Sequence, residues 1–321
     1  MIDLSVFIVT YNSAPLLRPC LDSLYAQSLD TFEIIVVDNA SRDETATTVR
    51  QHYPEIHLIE SPVNLGFGNA NNLALKHAKG NYVVLLNPDA ELAKNSLELA
   101  LKHIEESPKT GMAGGLLKGP RGEWQPSARK FPSLINEFLV LSGLANRFPS
   151  TRFFGRFDRS WADPKESAKV DWVPGAFAIL RRDLVERIGL FDPRFFLYYE
   201  EVDLCRRIQE TGFEIHYWPD LEITHIGGAS SETVDELAFS SSGKQLTLWR
   251  MRSQLLYYRK WHGLLYGWMV KSLEQGWHKL RAWRNRNKAP AKAAESLRIV
   301  ALWRQAWIDT QGGRESPPQP W

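Results

Sequence analysis

Ser5-Val6-Phe7-Ile8-Val9-Thr10-Tyr11-Asn12 is an apolar, β-branched run that ends abruptly in three polar side chains. A run this short without polar alternation reads as a strand covered on both faces, the habit of a parallel sheet. Similar runs recur at 33–37, 56–59 and 82–86, and helical patterns fill the gaps at 15–27, 43–52 and 66–78. Ser41 or Arg42 stands before an acidic first turn of the second helix, and Gly80 closes the third. Strand and helix in alternation predict an α/β fold with a mostly parallel central sheet flanked by helices, the outline of a nucleotide-binding domain.

The pattern continues with a helix at 96–106 and a strand at 112–116. Residues 118–171, rich in Gly, Pro, Arg and aromatics, read as loops and short helices around a site. Order resumes with a strand at 176–180, a helix at 182–188, a helix at 200–210 stopped by Thr211-Gly212, and a strand at 214–218. From about residue 242 the composition turns to Trp, Tyr, Leu, Lys and Arg at helical spacing. The expected organisation is therefore a domain over 1–241, a basic helical module over 242–310 and a Gly/Pro-rich disordered tail over 311–321. Cys20 and Cys205 show neither metal-ligand nor redox spacing and read as free thiols of a reducing compartment.

Four clusters carry candidate chemistry. In an open parallel sheet ligands lie outside the carboxyl ends of the strands, so Thr10, Tyr11 and Asn12 should face the same pocket as Asp38, Asn39 and Ser41. Asn64-Leu65-Gly66-Phe67-Gly68-Asn69-Ala70-Asn71-Asn72 opens a helix with small residues. Backbone at Asn64 and Gly66 can approach a ligand there, and the helix N-terminus favours an anion. Asn87-Pro88-Asp89 places a carboxylate directly after a strand, where a hard cation bridging two phosphates needs only one or two protein oxygens. Tyr198-Tyr199-Glu200-Glu201-Val202-Asp203 sets three carboxylates beside aromatics, and desolvation raises a carboxylate's proton affinity toward that of a general base. The same residues also suit turns, caps and a favoured acidic first turn, and His225, just past a strand where an imidazole could complete a metal shell, is as a lone histidine more often a structural residue.

Together the clusters resemble the inverting family 2 glycosyltransferases of GT-A fold, and among them bacterial rhamnosyltransferases of surface polysaccharide synthesis. The resemblance spans about residues 4–230 and rests on six segments. These are Val9-Thr10-Tyr11-Asn12, Val37-Asp38-Asn39-Ala40-Ser41, Asn64-Leu65-Gly66-Phe67-Gly68, Leu86-Asn87-Pro88-Asp89, Trp172-Val173-Pro174-Gly175-Ala176, and the run from Phe191-Asp192 to Tyr199-Glu200-Glu201-Val202-Asp203-Leu204. It implies that Thr10, Tyr11 and Asn12 line the nucleotide pocket, that Asp38 reads a pyrimidine ring, and that Trp172 and Gly175 lie near the donor sugar and acceptor. Asn39, Asn64, Gly66, Asn72 and Asn87 join the donor-binding set. Asp89 would hold Mg²⁺ or Mn²⁺ with His225 as auxiliary ligand. Asn87 departs from the two-aspartate form of the metal motif and leaves the number of carboxylate ligands open. Glu201 matches the catalytic base, an aspartate elsewhere in the family, and Glu200 and Asp203 remain alternatives.

The implied activity is transfer of a sugar, L-rhamnose from dTDP-rhamnose first and a UDP-hexose second, to a lipid-linked or polysaccharide acceptor. A non-catalytic nucleotide-sugar or glycan-binding protein is the reading from another class. A sugar nucleotidyltransferase is disfavoured, because Thr10-Tyr11-Asn12-Ser13 is not a Gly- and Arg-rich phosphate loop. The net charge of +2 hides an asymmetry: between Lys244 and Arg304, 14 Lys/Arg face only Glu274 and Glu295, and six of the twelve Trp lie there. Trp261, Leu264, Leu265 and Trp268 fall at i, i+3, i+4 and i+7, an apolar stripe beside Arg259, Lys260 and Lys271. An anionic membrane surface is the first expectation for this segment, docking on the domain or a partner the second and nucleic acid the last. The location expected is cytoplasmic and peripheral at the inner membrane face, since no leader or spanning run is evident; a homodimer is left open.

Overall fold

A computed structural model describes residues 2–227 and 244–317. The expected boundary at 241/242 and the end of the tail, 318–321, lie outside the described residues. The elements are β1 Leu4–Thr10, α1 Ala14–Tyr25, β2 Phe32–Asp38, α2 Thr45–His52, β3 His57–Glu60, α3 Gly66–Leu75, β4 Tyr82–Leu86, β5 Ala90–Leu92, α4 Ser96–Glu106, β6 Thr110–Lys118, β7 Trp124–Gln125, α5 Leu134–Leu141, α6 Leu144–Arg147, β8 Ala168–Val170, β9 Phe177–Arg181, α7 Arg182–Ile188, α8 Glu200–Glu210, β10 Glu214–His225, α9 Lys244–Asn285 and α10 Pro290–Asp309.

All seven residues of β1 are buried, as its apolar run requires, and β1 sits between β2 and β4 in the order β3-β2-β1-β4-β9-β6-β10-β5. The β3-β2-β1-β4 half is parallel; past β4 the sheet becomes mixed, with β9 antiparallel to β4 and β6, and β5 antiparallel to β10. Side chains alternate across the pleat. Val6, Ile8, Val36, Val84 and Leu86 pack with α1, α2 and α4 on one face, whereas Phe7, Val37, Val83 and Leu85 pack with α3, α7, α8 and the C-terminal helices on the other. Cys20 and Cys205 are free, buried and on opposite faces.

Register brings the chemistry together. Thr10 pairs with Asp38 at the carboxyl ends of β1 and β2. Leu86 ends β4 on the same edge, and β10 runs antiparallel to β5 so that His225 pairs with Ala90, the neighbour of Asp89. The strand expected to stop at Trp218 continues through Pro219 to His225, with a bulge between Trp218 and Glu222 absorbing the proline.

Two expectations about the C-terminal region do not hold. Gly263, at φ 83°, breaks α9, so Trp261 and the 264–268 residues do not share one continuous apolar stripe. Trp261 turns inward and donates Nε1–H to Asp203 at 2.8 Å, while Leu264, Leu265 and Trp268 stay exposed. Trp249, Leu255, Tyr257, Tyr258 and Trp303 are instead buried, and all but Trp249 belong to the core beneath the sheet. Each such side chain withdrawn from water is worth ~2–3 kcal/mol, so the first arm of α9 is anchored to the domain. The tail is not disordered over 311–317. Gly312 and Gly313, at φ 68° and 84°, end α10 with the Gly312 N–H on the Trp307 carbonyl at 2.8 Å. A Cβ on Gly313 would lie 2.2 Å from the Leu255 carbonyl oxygen, so this glycine is packed against α9 rather than free.

Candidate active site

A cavity of about 940 Å³ opens at the ends of β1 and β2, lined by Tyr11, Asp38, Ser41, Asn64, Phe196 and Trp249, with Ser316 and Pro317 at its rim. Asp38 is nearly buried: Thr10 Oγ1 donates to its Oδ1 at 3.1 Å and the Ser41 N–H to its Oδ2 at 3.1 Å. These bonds fix a carboxylate at the cavity wall, where it can accept from a base N–H or a ribose hydroxyl. Asn12 and Ala40 take φ of 50° and 64° in the two turns that shape this end of the sheet. Asn12 ties them together, its N–H on Ser41 Oγ at 2.9 Å and its Oδ1 accepting from the Arg42 N–H at 2.8 Å.

Several residues expected at the ligand stand behind the wall instead. Buried Asn39 donates to Asn64 Oδ1 at 2.8 Å and accepts from the Leu65 N–H at 2.7 Å, holding the loop that lines the cavity. Gly66 has φ +77° and a Cβ there would lie 2.2 Å from the Phe196 carbonyl oxygen, so its missing side chain admits the aromatic segment. Asn72 clamps that segment from both sides, donating to the Phe191 carbonyl and accepting the Phe191 N–H, each at 2.9 Å. Gly175 packs against the Phe67 ring, where an added Cβ would approach to 3.2 Å.

Asp89 and His225 meet at the next strand ends. The Gln125 amide donates to the His225 carbonyl at 2.8 Å, which leaves its Oε1 facing His225 Nδ1 at 2.8 Å and so puts the imidazole proton on Nδ1. Nε2 then accepts from the Asn87 Nδ2 amide at 3.4 Å and lies 3.4 Å from Asp89 Oδ1. Two electron-rich atoms held this way fit a shared divalent cation. Among the described residues no group of three or more His, Cys, Asp or Glu side chains assembles as a metal cage. A cation here would complete its shell from a diphosphate and water, the usual habit of Mg²⁺. Gln125 was missed in the sequence, where nothing in Glu123-Trp124-Gln125-Pro126 marks a histidine partner.

The three carboxylates of α8 separate cleanly. Tyr198 and Tyr199 both take φ 68°, a strained conformation for non-glycine residues that turns the chain abruptly into the helix. Asp203 is fully buried and occupied by Arg207 at 2.8 Å, Lys260 at 2.7 Å and the Trp261 indole. Glu200 is buried with one oxygen unpartnered, and lines neither the cavity at β1 and β2 nor the one beside Trp172. Glu201 lines a second cavity, of about 650 Å³, beside Trp172, Pro174 and Tyr198. Burial pushes the proton affinity of both glutamates up; the neighbouring charge of Glu201 adds to the effect on Glu200. The Trp172–Ala176 segment joins this cavity to the Asn87–Asp89 turn, since the Asn87 N–H donates to the Ala176 carbonyl at 3.0 Å. Trp172 itself is held by Nε1–H to the Lys130 carbonyl at 2.9 Å and by the Arg129 guanidinium 4.7 Å above its ring.

Residues 5–189 match the model of glycosyl transferase family 2, more than half of the chain. The chain belongs to that family. It is a glycosyltransferase of GT-A fold, as the sequence resemblance implied. An N-acetylglucosaminyl-diphospho-decaprenol L-rhamnosyltransferase of Mycobacterium tuberculosis is 32% identical over 69% of this chain and 75% of its own length. Rhamnosyltransferase WbbL of Escherichia coli K12 is 26% identical over 78% of this chain and 91% of its own. Among solved structures, mannosyltransferase PcManGT of Pyrobaculum calidifontis, in complex with GDP-Man and Mn²⁺, superposes with a TM-score of 0.56 at 19% identity, covering 97% of this chain and 88% of the other.

Proposed function

We propose that this glycosyltransferase moves L-rhamnose from dTDP-rhamnose, with inversion, onto a diphosphate-linked sugar carried by a polyprenyl lipid. The observation that carries the mechanism is the division of three carboxylates on one helix turn: Asp203 is held by Arg207 and Lys260, Glu200 is sealed away from both described cavities, and Glu201 lines one of them. A single base that deprotonates an acceptor hydroxyl for direct attack at the anomeric carbon gives one in-line displacement and therefore inversion. Tyr11 and Asp38 bind the nucleoside, with Asp38 held in place by Thr10, and Asp89 with His225 would hold Mg²⁺ or Mn²⁺. That cation, when bound, supplies charge for the departing diphosphate. The choice of sugar and acceptor rests on the names of the two rhamnosyltransferase relatives. The Mn²⁺ found with GDP-Man in the PcManGT structure supports the cation.

The second arm of α9 supports docking on an anionic membrane from the cytoplasmic side. Leu264, Leu265, Trp268, Leu280 and Trp283 are each about half exposed or more. Over residues 264–290, six Lys/Arg face the single acid Glu274. No described helix is long and apolar enough to cross a bilayer, so the contact is interfacial.

The test is turnover against a panel of dTDP-, UDP- and GDP-sugars with and without Mg²⁺ or Mn²⁺, the product's anomeric configuration being read by NMR. Metal-dependent use of dTDP-rhamnose with inversion, lost in Glu201→Gln but with donor binding retained, is expected. Asp89→Ala should lose donor binding. A retained configuration, or a Glu201→Gln protein with full turnover, sinks the mechanism.

A further inference from the structure

Five of the sixteen large apolar side chains exposed among the described residues fall within residues 135–153, and five more lie on the second arm of α9. The first group belongs to α5, α6 and the turn that follows. On α5, Asn136 and Leu139 are buried and Glu137 accepts from Tyr258 Oη at 2.8 Å, whereas Ile135, Phe138 and Val140 are each 42–50% exposed. No exposed side chain of α5 is polar. A helix that is apolar on its outer face as well as its inner one is covered by protein or meets lipid.

Phe148 and Phe153, also exposed, follow Gly143, each with its ring 5.2 Å from that of Phe154. The turn that carries them is tightly built. Thr151 Oγ1 donates to the Phe148 carbonyl at 3.0 Å, and a Cβ on Gly155 would lie 2.2 Å from the Pro149 carbonyl oxygen. Residues 138–157 hold Arg147, Arg152 and Arg156 and no acid. The flanking acids are occupied, Glu137 by Tyr258 and Asp158 by Arg129. Aromatic and aliphatic tips among arginines that no acid neutralises are the chemistry of an anionic bilayer surface. A nucleic acid or an acidic protein would draw the arginines and leave Ile135 and Val140 in water.

α5 is also bonded to α9, the Leu134 N–H donating to Tyr266 Oη at 2.9 Å. Ile135 adjoins one end of that bond and Leu265 the other, so the apolar edge of α5 neighbours that of the second arm. We propose that α5, α6 and the 148–156 turn form a second foot on the anionic membrane, which together with the second arm of α9 sets the tilt of the enzyme on the bilayer. One line of contact leaves a protein free to roll about it; a second, adjacent contact removes that freedom. Val140 also lines the cavity that holds Glu201, so docking through α5 keeps the edge of that cavity at the lipid surface. The proposal rests on the interfacial reading of α9 for the two-contact geometry, and on its own residues for the foot.

Cys20 and Cys205 are buried, so a thiol introduced by Phe153→Cys takes an environment-sensitive fluorophore alone. Its emission should shift to the blue with vesicles of equimolar phosphatidylglycerol and phosphatidylcholine and stay unshifted with phosphatidylcholine alone. Phe138→Ser with Phe148→Ser should weaken sedimentation with the anionic vesicles about tenfold. Arg147→Gln with Arg152→Gln should weaken it about twentyfold, each cation near such a surface contributing roughly fivefold. Nucleoside diphosphate affinity, the control for folding, should stay within about twofold of wild type. A label at position 153 that stays in water while the protein is vesicle-bound, or wild-type binding by both double variants, overturns the foot; loss of binding in Trp268→Ser with Trp283→Ser then leaves α9 as the sole contact. Weakened binding in the α5 and arginine variants, with the α9 variant at wild-type levels, supports the foot and sinks the α9 contact instead. A label shielded before lipid is added, or by raising protein concentration alone, shows that the chain itself or a second copy covers this surface, and also overturns the proposal.

Discussion

Asp203→Asn and Glu201→Gln should separate two carboxylates that lie two residues apart. Asp203 is buried with two cations and an indole N–H on its oxygens. The substitution keeps the shape and removes the charge. Breaking a buried pair costs ~3–5 kcal/mol. Here the lower figure applies, because both cations keep other partners: Lys260 holds Asp192 at 2.8 Å and Arg207 donates to the Ile188, Gly189 and Leu190 carbonyls. A loss of ~3 kcal/mol in a chain of this size lowers Tm by roughly 4–5 °C. Turnover of Asp203→Asn measured well below its Tm should stay within severalfold of wild type. Glu201→Gln should do the opposite, leaving Tm unchanged or higher, since a neutral amide is cheaper to bury, and cutting kcat by ~10²–10⁴. Differential scanning calorimetry and turnover at 15–20 °C, roughly, give both readings. If Asp203→Asn folds stably and loses turnover by a hundredfold while Glu201→Gln keeps it, the assignment of the base is reversed and the reasoning fails.

Three further outcomes are expected. Glu274→Gln should flatten a pH dependence: a carboxyl raised from the ordinary 4.5 to about 7 in the fold stabilises fully below 4.5 and loses that contribution as pH rises through about 7. The wild-type protein should therefore lose up to ~3 kcal/mol relative to the variant between pH 5 and 8, and equal urea midpoints across that range would refute it. The facing groups Glu137, Arg250 and His278 are common to both proteins and cancel in the comparison. Gly66→Ala forces a positive φ on a β-carbon 2.2 Å from a carbonyl oxygen and should cost at least ~2 kcal/mol, read by urea unfolding. It should also weaken nucleotide binding by moving Phe196. Trp268→Ser with Trp283→Ser should reduce binding to vesicles of anionic phospholipid several-fold with activity on a soluble acceptor unchanged; sedimentation with vesicles at wild-type levels would count against the interfacial contact.

The sheet was legible because its strands are continuous apolar runs ending in polar clusters, and period plus turn chemistry suffices for such elements. Asp38 stood out for the same reason, as did Asp89, each at a strand end that the register must bring to one edge. What period counting could not reach were the tertiary exceptions. Pro219 reads as a strand stop but sits in a bulge, and Gly263 splits a stripe whose i, i+3, i+4, i+7 spacing presumes an unbroken helix. The glycines at 312 and 313 look like tail composition and are a helix cap. Asn39, Gly66 and Asn72 were flagged with the ligand cluster because small polar residues at a helix start suit both ligand contact and loop bracing. Only the bonds of Asn39 to the 64–65 loop, of Asn72 to Phe191, and the approach of Gly66 to Phe196 distinguish the two.

The C-terminal helices change what the GT-A domain's carboxylates can do. Asp203 and Asp192 share Lys260 of α9, and Ser253 of α9 donates to the Leu197 carbonyl at 2.7 Å, so the helix is bonded to the turn that aims Tyr198, Tyr199 and Glu201. Met251 and Gln254 of the same helix line the cavity beside Glu201. A carboxylate gains proton affinity only when water is kept from it. On an open sheet edge the first turn of α8 would be solvated and its helix dipole would pull the glutamate pKa down rather than up. The basic module therefore anchors the strained turn and keeps water from Glu201 whatever surface its second arm meets; with Glu201 as the proposed base, it would belong to the catalytic apparatus.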